Sequence, residues 1–197
     1  MKRHLASLGL AALLSWMPLA ATAGTVSITT VVDNESFNPE LATEWGFSAA
    51  IVTPSGSTLF DAGPNGDKLL ANMKALGFTP GQFGQIVISH DHDDHYKGLK
   101  ALLRENPTIR IYLPGRPISL PKLLAAAGVT GINVRAPAEI APGIRSTGPV
   151  DQRTEEQALI VDTAEGLVVL TGCAHPGIVK IIETVTSLNP GKRLLLV

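Results

Sequence analysis

Ile86-Val87-Ile88-Ser89 is an apolar run that breaks at once into His90-Asp91-His92-Asp93-Asp94-His95. Imidazoles and carboxylates packed this densely behind a buried strand must sit in a loop at the end of a sheet, where a rigid scaffold presents them to one point. In extended chain, side chains two apart project to the same side, so His90, His92 and Asp94 converge while His95 is offset toward a neighbouring point. One loop is thereby able to feed two metal ions. Apart from His4, the remaining histidine is His175, in Thr171-Gly172-Cys173-Ala174-His175-Pro176-Gly177, where a second apolar run breaks.

Imidazole nitrogen and carboxylate oxygen suit zinc, iron or manganese, whereas a Cys-rich set would signal a closed structural zinc site. Helix capping alone needs one oxygen at one position and does not account for the imidazoles. Asp91 and Asp93 individually read as solvent-facing or capping residues. Asp61, in Phe60-Asp61-Ala62-Gly63, reads on its own as a turn-forming aspartate.

The chain has 197 residues, 45% of them hydrophobic, enough for one substantial core and one domain, expected over residues 24–197. Lys2 and Arg3, the apolar Leu5 to Leu14, and Ala21-Thr22-Ala23 before Gly24 read as a secretory signal over residues 1–23, cleaved after Ala23. Ser7, Gly9, Ser15 and Pro18 interrupt that segment, which falls short of the roughly 20 apolar residues of a membrane span. The expected location is the periplasm or the exterior, with no membrane association after cleavage. Loss of Lys2 and Arg3 from 16 basic residues leaves 14 against 17 acidic ones, a net charge of −3, which argues against nucleic acid as a partner. The lone Cys173 has no partner for an internal disulfide, so it is expected either buried at its strand end or close to a metal.

Strands are expected over Thr25 to Asp33, Phe47 to Thr53 and Thr58 to Asp61, then a helix between Gly66 and Gly77. The strand Gln85 to Ser89 delivers the histidine loop. Leu99, Leu102 and Leu103 mark a helix ending near Asn106-Pro107, Ile109 to Leu113 a strand, and Leu123 to Ala127 a short helix. The Pro-rich stretch from Ala136 to Pro149 reads as loops with short strands at most. Gln157 to Asp162 and Leu167 to Thr171 read as a hairpin, Ile178 to Leu188 as a helix, and Leu194 onward as a further strand.

With H-x-H-x-D-H after a strand, Phe60-Asp61-Ala62-Gly63 upstream and His175 downstream, the sequence resembles the metallo-β-lactamase-fold hydrolases. Val32-Asp33-Asn34, Glu44-Trp45-Gly46-Phe47-Ser48 and the Thr171 to Gly177 segment are similar to its dihydropterin-type phosphate synthase branch. The resemblance implies an α/β fold, an αβ/βα four-layer sandwich with a metal pair between the sheets. His90, His92 and His175 would hold the first ion, Asp94 and His95 the second, and Asp61 would support a ligand. The pattern departs from the family twice: no aspartate follows His175 to bridge the ions, and the family's last metal histidine would fall beyond Val197. The expectation is therefore a domain lacking its C-terminal part.

An ion on three histidines leaves a position for water and lowers its pKa from about 15.7 to about 7, making hydroxide available as nucleophile. The implied activity is an exported metal-dependent hydrolase of a small-molecule ester, thioester, phosphoester or amide, with Zn²⁺ as the first choice and Fe or Mn as alternatives. Asp94 is the candidate catalytic carboxylate, orienting the water as well as binding metal. Two other readings stay open: a non-catalytic metal-binding protein with an incomplete second site, and iron-based redox chemistry. A Ser-His-Asp mechanism is disfavoured because neither histidine motif carries Gly-x-Ser-x-Gly. β-Lactam hydrolysis ranks low, since His95 completes a motif from which the drug-hydrolysing branch departs.

Overall fold

The computed structural model describes residues 25–35 and 38–197, so the expected leader over residues 1–23 lies outside the described residues. Two sheets form the frame. Strands β1 (Ser27–Val32), β2 (Ser48–Thr53), β3 (Gly56–Phe60), β4 (Phe83–Val87), β5 (Arg110–Pro114) and β6 (Ile132–Val134) make a six-stranded sheet in chain order. Strands β7 (Ala138–Ala141), β8 (Ile144–Pro149), β9 (Gln157–Thr163), β10 (Gly166–Leu170) and β11 (Leu194–Leu196) make a five-stranded one, ordered β11-β10-β9-β8-β7.

The first sheet begins as an antiparallel meander, β1-β2-β3, and turns parallel from β3 to β6 as helices take over the connections. These are α1 (Gly66–Ala75), α2 (Asp93–Tyr96), α3 (Leu99–Glu105) and α4 (Leu120–Ala126). Helix α5 (Ile178–Leu188) connects β10 to β11, which pair in parallel. Among the described residues no helix is long and apolar enough to cross a membrane.

Strand alternation sorts the side chains into three apolar layers. Leu59 and Ile86 face outward onto Leu69, Met73, Leu99 and Leu102 of the helices. Their neighbours Phe60 and Val87 face inward onto Leu159, Val161, Val168 and Leu170 of the second sheet. Ala158, Ile160, Leu167 and Val169 pack on Ile181 and Val185 of α5. The order helix, sheet, sheet, helix is the αβ/βα sandwich.

The Pro-rich segment is more regular than its composition indicates. Ala138 to Pro149 folds into the β7-β8 hairpin, and β8 pairs with β9 inside the sheet. Pro142 sits in the connecting turn with Gly143 at φ +77°, and Pro149 ends its strand, so the prolines punctuate the strands without interrupting them. The short β6 carried too few residues to register as a strand.

At one end of the sandwich the sheets are tied together. Gln157 at the start of β9 donates its backbone N–H to Ser89 O at 2.9 Å and its side-chain amide to Ile88 O at 2.8 Å. The chain leaving β4 is thereby held against the second sheet where the histidine loop begins.

Candidate metal centre

His90 follows β4 and is fully buried. His92 is extended, with φ −110° and ψ 143°, and immediately precedes α2. The extended spacing that carries His90 and His92 to one point therefore stops there: Asp94 and His95 lie in the helical turn of α2, and it is the turn that delivers them. His175 arrives from the other sheet, on the loop after β10. One ligand atom from each of His90, His92 and His175 lies within 4.8 Å of the others. The ring centroids of His90 and His92 are 4.6 Å apart, and each stands 4.8 Å from that of His175.

Burial, reinforced by the neighbouring His95, His92 and His175, lowers the pKa of His90 from 6.5 to about 2, so its imidazole is neutral at neutral pH. Clustered imidazoles suit a divalent cation of the zinc, iron or manganese kind.

His95, also buried, is set by Asp61. The Asp61 carboxylate accepts from His95 Nδ1 at 2.7 Å, from Ser89 N at 2.6 Å and from Ser89 Oγ at 2.7 Å. Burial opposes a charge on His95, but the hydrogen bond and charge of Asp61, with Asp94 and Glu156, outweigh it and raise the pKa. Burial likewise pushes Asp61 up against the pull of His95 and Ser89. With Nδ1 committed to Asp61, His95 Nε2 points at Cys173 Sγ, 3.2 Å away, and stands 3.6 Å from Asp94 Oδ2. Asp61 adopts φ +58°, a left-handed conformation that aspartate tolerates, so its turn role and its bonding role coincide. Its own carbonyl accepts from Ser48 Oγ at 2.8 Å.

Asp91 and Asp93 do local work. Asp91 accepts from the backbone N–H of Ile118 (2.5 Å), Ser119 (2.7 Å) and Leu120 (3.0 Å), capping α4 rather than the helix that follows it in sequence. Asp93 is exposed, paired with Lys97 at 2.6 Å and accepting from Tyr96 Oη at 2.6 Å; these contacts lower its pKa. Cys173 is exposed, not sealed at its strand end, and its sulfur faces the histidines. Partial desolvation of the thiol, with the facing charges of Asp94, Glu156 and Asp61, pushes its pKa up to about 11.

Two contributors gave no sequence signal. Glu156 is fully buried and accepts from Thr171 Oγ1 at 3.0 Å, Ala174 N at 2.9 Å and His175 N at 2.8 Å, which fixes the loop that carries His175. It reads in the sequence as one more acid before a strand, and only its contact across the sheet gives it a role. Gly172 packs so closely on the histidine loop that a Cβ there would lie 2.4 Å from Ser89 Oγ and 3.0 Å from His90 Nδ1. A cavity of about 430 Å³ opens beside His92, its wall including Arg116, Ile118, Arg153 and Thr154.

A sequence model of the metallo-beta-lactamase superfamily matches residues 46–184. The chain is similar to the 7,8-dihydropterin-6-methyl-4-(beta-D-ribofuranosyl)-aminobenzene-5'-phosphate synthase of Methanocaldococcus jannaschii, at 24% identity over 77% of this chain and 68% of that protein. It is also similar to an uncharacterized protein of the same organism, at 28% identity over 84% of this chain and 76% of the other. Among solved structures, a metal-dependent hydrolase of the beta-lactamase superfamily superposes with a TM-score of 0.66 at 25% identity, covering 86% of this chain and 75% of that one. The fold is shared with B. thuringiensis AiiA carrying N-decanoyl-L-homoserine at its active site, with a TM-score of 0.62 at 16% identity over 90% and 93% of the two chains.

Proposed function

We propose that this chain, which belongs to the metallo-beta-lactamase superfamily, is an exported metal-dependent hydrolase of small-molecule esters, thioesters, phosphoesters or amides. The observation that carries the reading is the meeting of His90, His92 and His175, from two sheets, with ligand atoms within 4.8 Å of one another. Similarity to a solved metal-dependent hydrolase of the same superfamily supports it. His90, His92 and His175 would hold one divalent cation, Zn²⁺ before Fe or Mn, and Asp94 and His95 a second.

Bound there, a cation supplies Lewis acidity and brings the pKa of a coordinated water from about 15.7 down to about 7. The chain's own groups do the positioning. Burial keeps His90 neutral. Asp61 orients His95 with Nε2 toward the centre, and Glu156 fixes the backbone of His175. Asp94, with Oδ2 3.6 Å from His95 Nε2, would orient a water as well as bind metal.

Replacing His92 with alanine tests the reading on protein of verified metal content against a panel of ester, thioester, phosphoester and amide substrates. Loss of turnover is expected, and undiminished turnover contradicts the mechanism. The synthase among the relatives favours a second reading, a bond-forming reaction at the same centre. Assaying that synthase reaction beside the panel separates the two.

A further inference from the structure

We propose that a cavity between α3 and α4 binds an amphipathic anion, an aliphatic chain ending in a carboxylate. The inference is independent of the metal-centre reading: no residue lining this cavity is a candidate metal ligand or borders the cavity beside His92.

Shape and lining account for the aliphatic chain. The cavity measures about 500 Å³, within the range of small-molecule sites. Its apolar lining is Leu103 on α3, Pro107 after it, Leu123 and Ala126 on α4, and Ala127 and Val129 beyond. Leu103 is buried, Leu123 and Val129 are half-buried, and all three belong to the outer apolar layer. The floor is thereby fixed by the core, and Ala126 and Ala127 leave open the space that longer side chains would fill.

Charge accounts for the carboxylate. Lys100 and Arg104 are the remaining lining residues, so the wall holds two cations and no acid. Both are exposed, and among the described residues neither forms an ion pair, whereas Lys97 is paired with Asp93. They stand four residues apart on α3, a spacing at which like charges repel, and an anion between them relieves that repulsion. Arg104 also complements the carbonyl end of α3, but Lys100 lies near the opposite end, where the helix dipole disfavours a cation. A guanidinium and an ammonium above an apolar floor match a carboxylate on an aliphatic tail.

Calorimetric titration of the full chain with decanoate at low salt, with and without zinc, tests the assignment. One decanoate per chain is expected, with the same affinity in both cases. Octanoate should bind about tenfold more weakly, since it lacks two methylenes to bury. Lys100→Gln with Arg104→Gln should weaken decanoate about tenfold at an unchanged melting temperature, because neither side chain is paired in the native structure. Ala126→Leu, which fills the cavity from an exposed position, should weaken it as well. Absence of binding, binding only with zinc present, acetate or decyltrimethylammonium binding as tightly as decanoate, or native affinity in either variant overturns the assignment.

Discussion

Glu156→Gln isolates the contribution of a buried carboxylate that touches no proposed ligand side chain, only the backbone of one. In the native structure one carboxylate oxygen accepts from Thr171 Oγ1 and Ala174 N, and the other from His175 N. Glutamine conserves the shape and one acceptor. Its amide must then face the N–H of His175, or else face Thr171 and Ala174. At least one charge-assisted hydrogen bond is lost inside the protein, a cost of about 1.5–3 kcal/mol. Because that bond sets where the His175 ring enters the cluster, zinc affinity should fall about 10- to 100-fold, as for other groups that orient a ligand. Competition with a chromophoric chelator measures the affinity and denaturant unfolding of the metal-free protein measures the stability. Glu165→Gln, at an exposed turn, is the control and should change neither. A Glu156→Gln protein with native zinc affinity would refute the proposed support of His175.

Asp61→Asn keeps the bulk and tolerates φ +58°, but loses the charge that receives Ser89 and His95; we expect about 1.5–3 kcal/mol lower stability and loss of the second ion with the first retained, read by melting and elemental analysis. Gly46→Ala would put a Cβ 2.3 Å from Asp94 O and 2.7 Å from Pro64 Cδ at φ +143°, so unfolding free energy should drop by at least about 2 kcal/mol; a smaller loss means the loop before β2 is free to move away from the site. The metal-free protein should be most stable near pH 6.5. Below that pH the unfolded chain protonates residue 90 while the native chain, with His90 at about 2, does not, which removes about 1 kcal/mol between pH 6.5 and 5.5; above it the contribution of His95, whose pKa is raised, is lost as pH rises through its folded value. Urea unfolding at pH 5.5 and 6.5 checks this, and His90→Asn should abolish the acid-side loss.

Much of this structure is legible in the sequence where local pattern decides the outcome. The apolar alternation that places Leu59 and Ile86 on one face and Phe60 and Val87 on the other is visible in the chain, as are the helix bounded by Gly66 and Gly77 and the β9-β10 hairpin. So is the spacing that brings His90 and His92 together, while their meeting with His175 is what the family resemblance implies. What local pattern could not supply was long-range. The β7-β8 hairpin is a strand pair because β9 is there to receive it, and its prolines and glycines alone read as loop. Asp94 and His95 reach the centre through a helical turn too short to show a period. The positions of Glu156 and Cys173 at the site are set by pairing between segments far apart in sequence.

The account stands on residues 90, 92 and 175 surrounding one cation. Crystals of the protein loaded with zinc, measured on both sides of the zinc absorption edge, test this most directly. We predict an anomalous-difference peak within coordinating distance of the imidazoles of His90, His92 and His175. A peak located elsewhere, or three empty imidazoles in a zinc-saturated crystal, would contradict it.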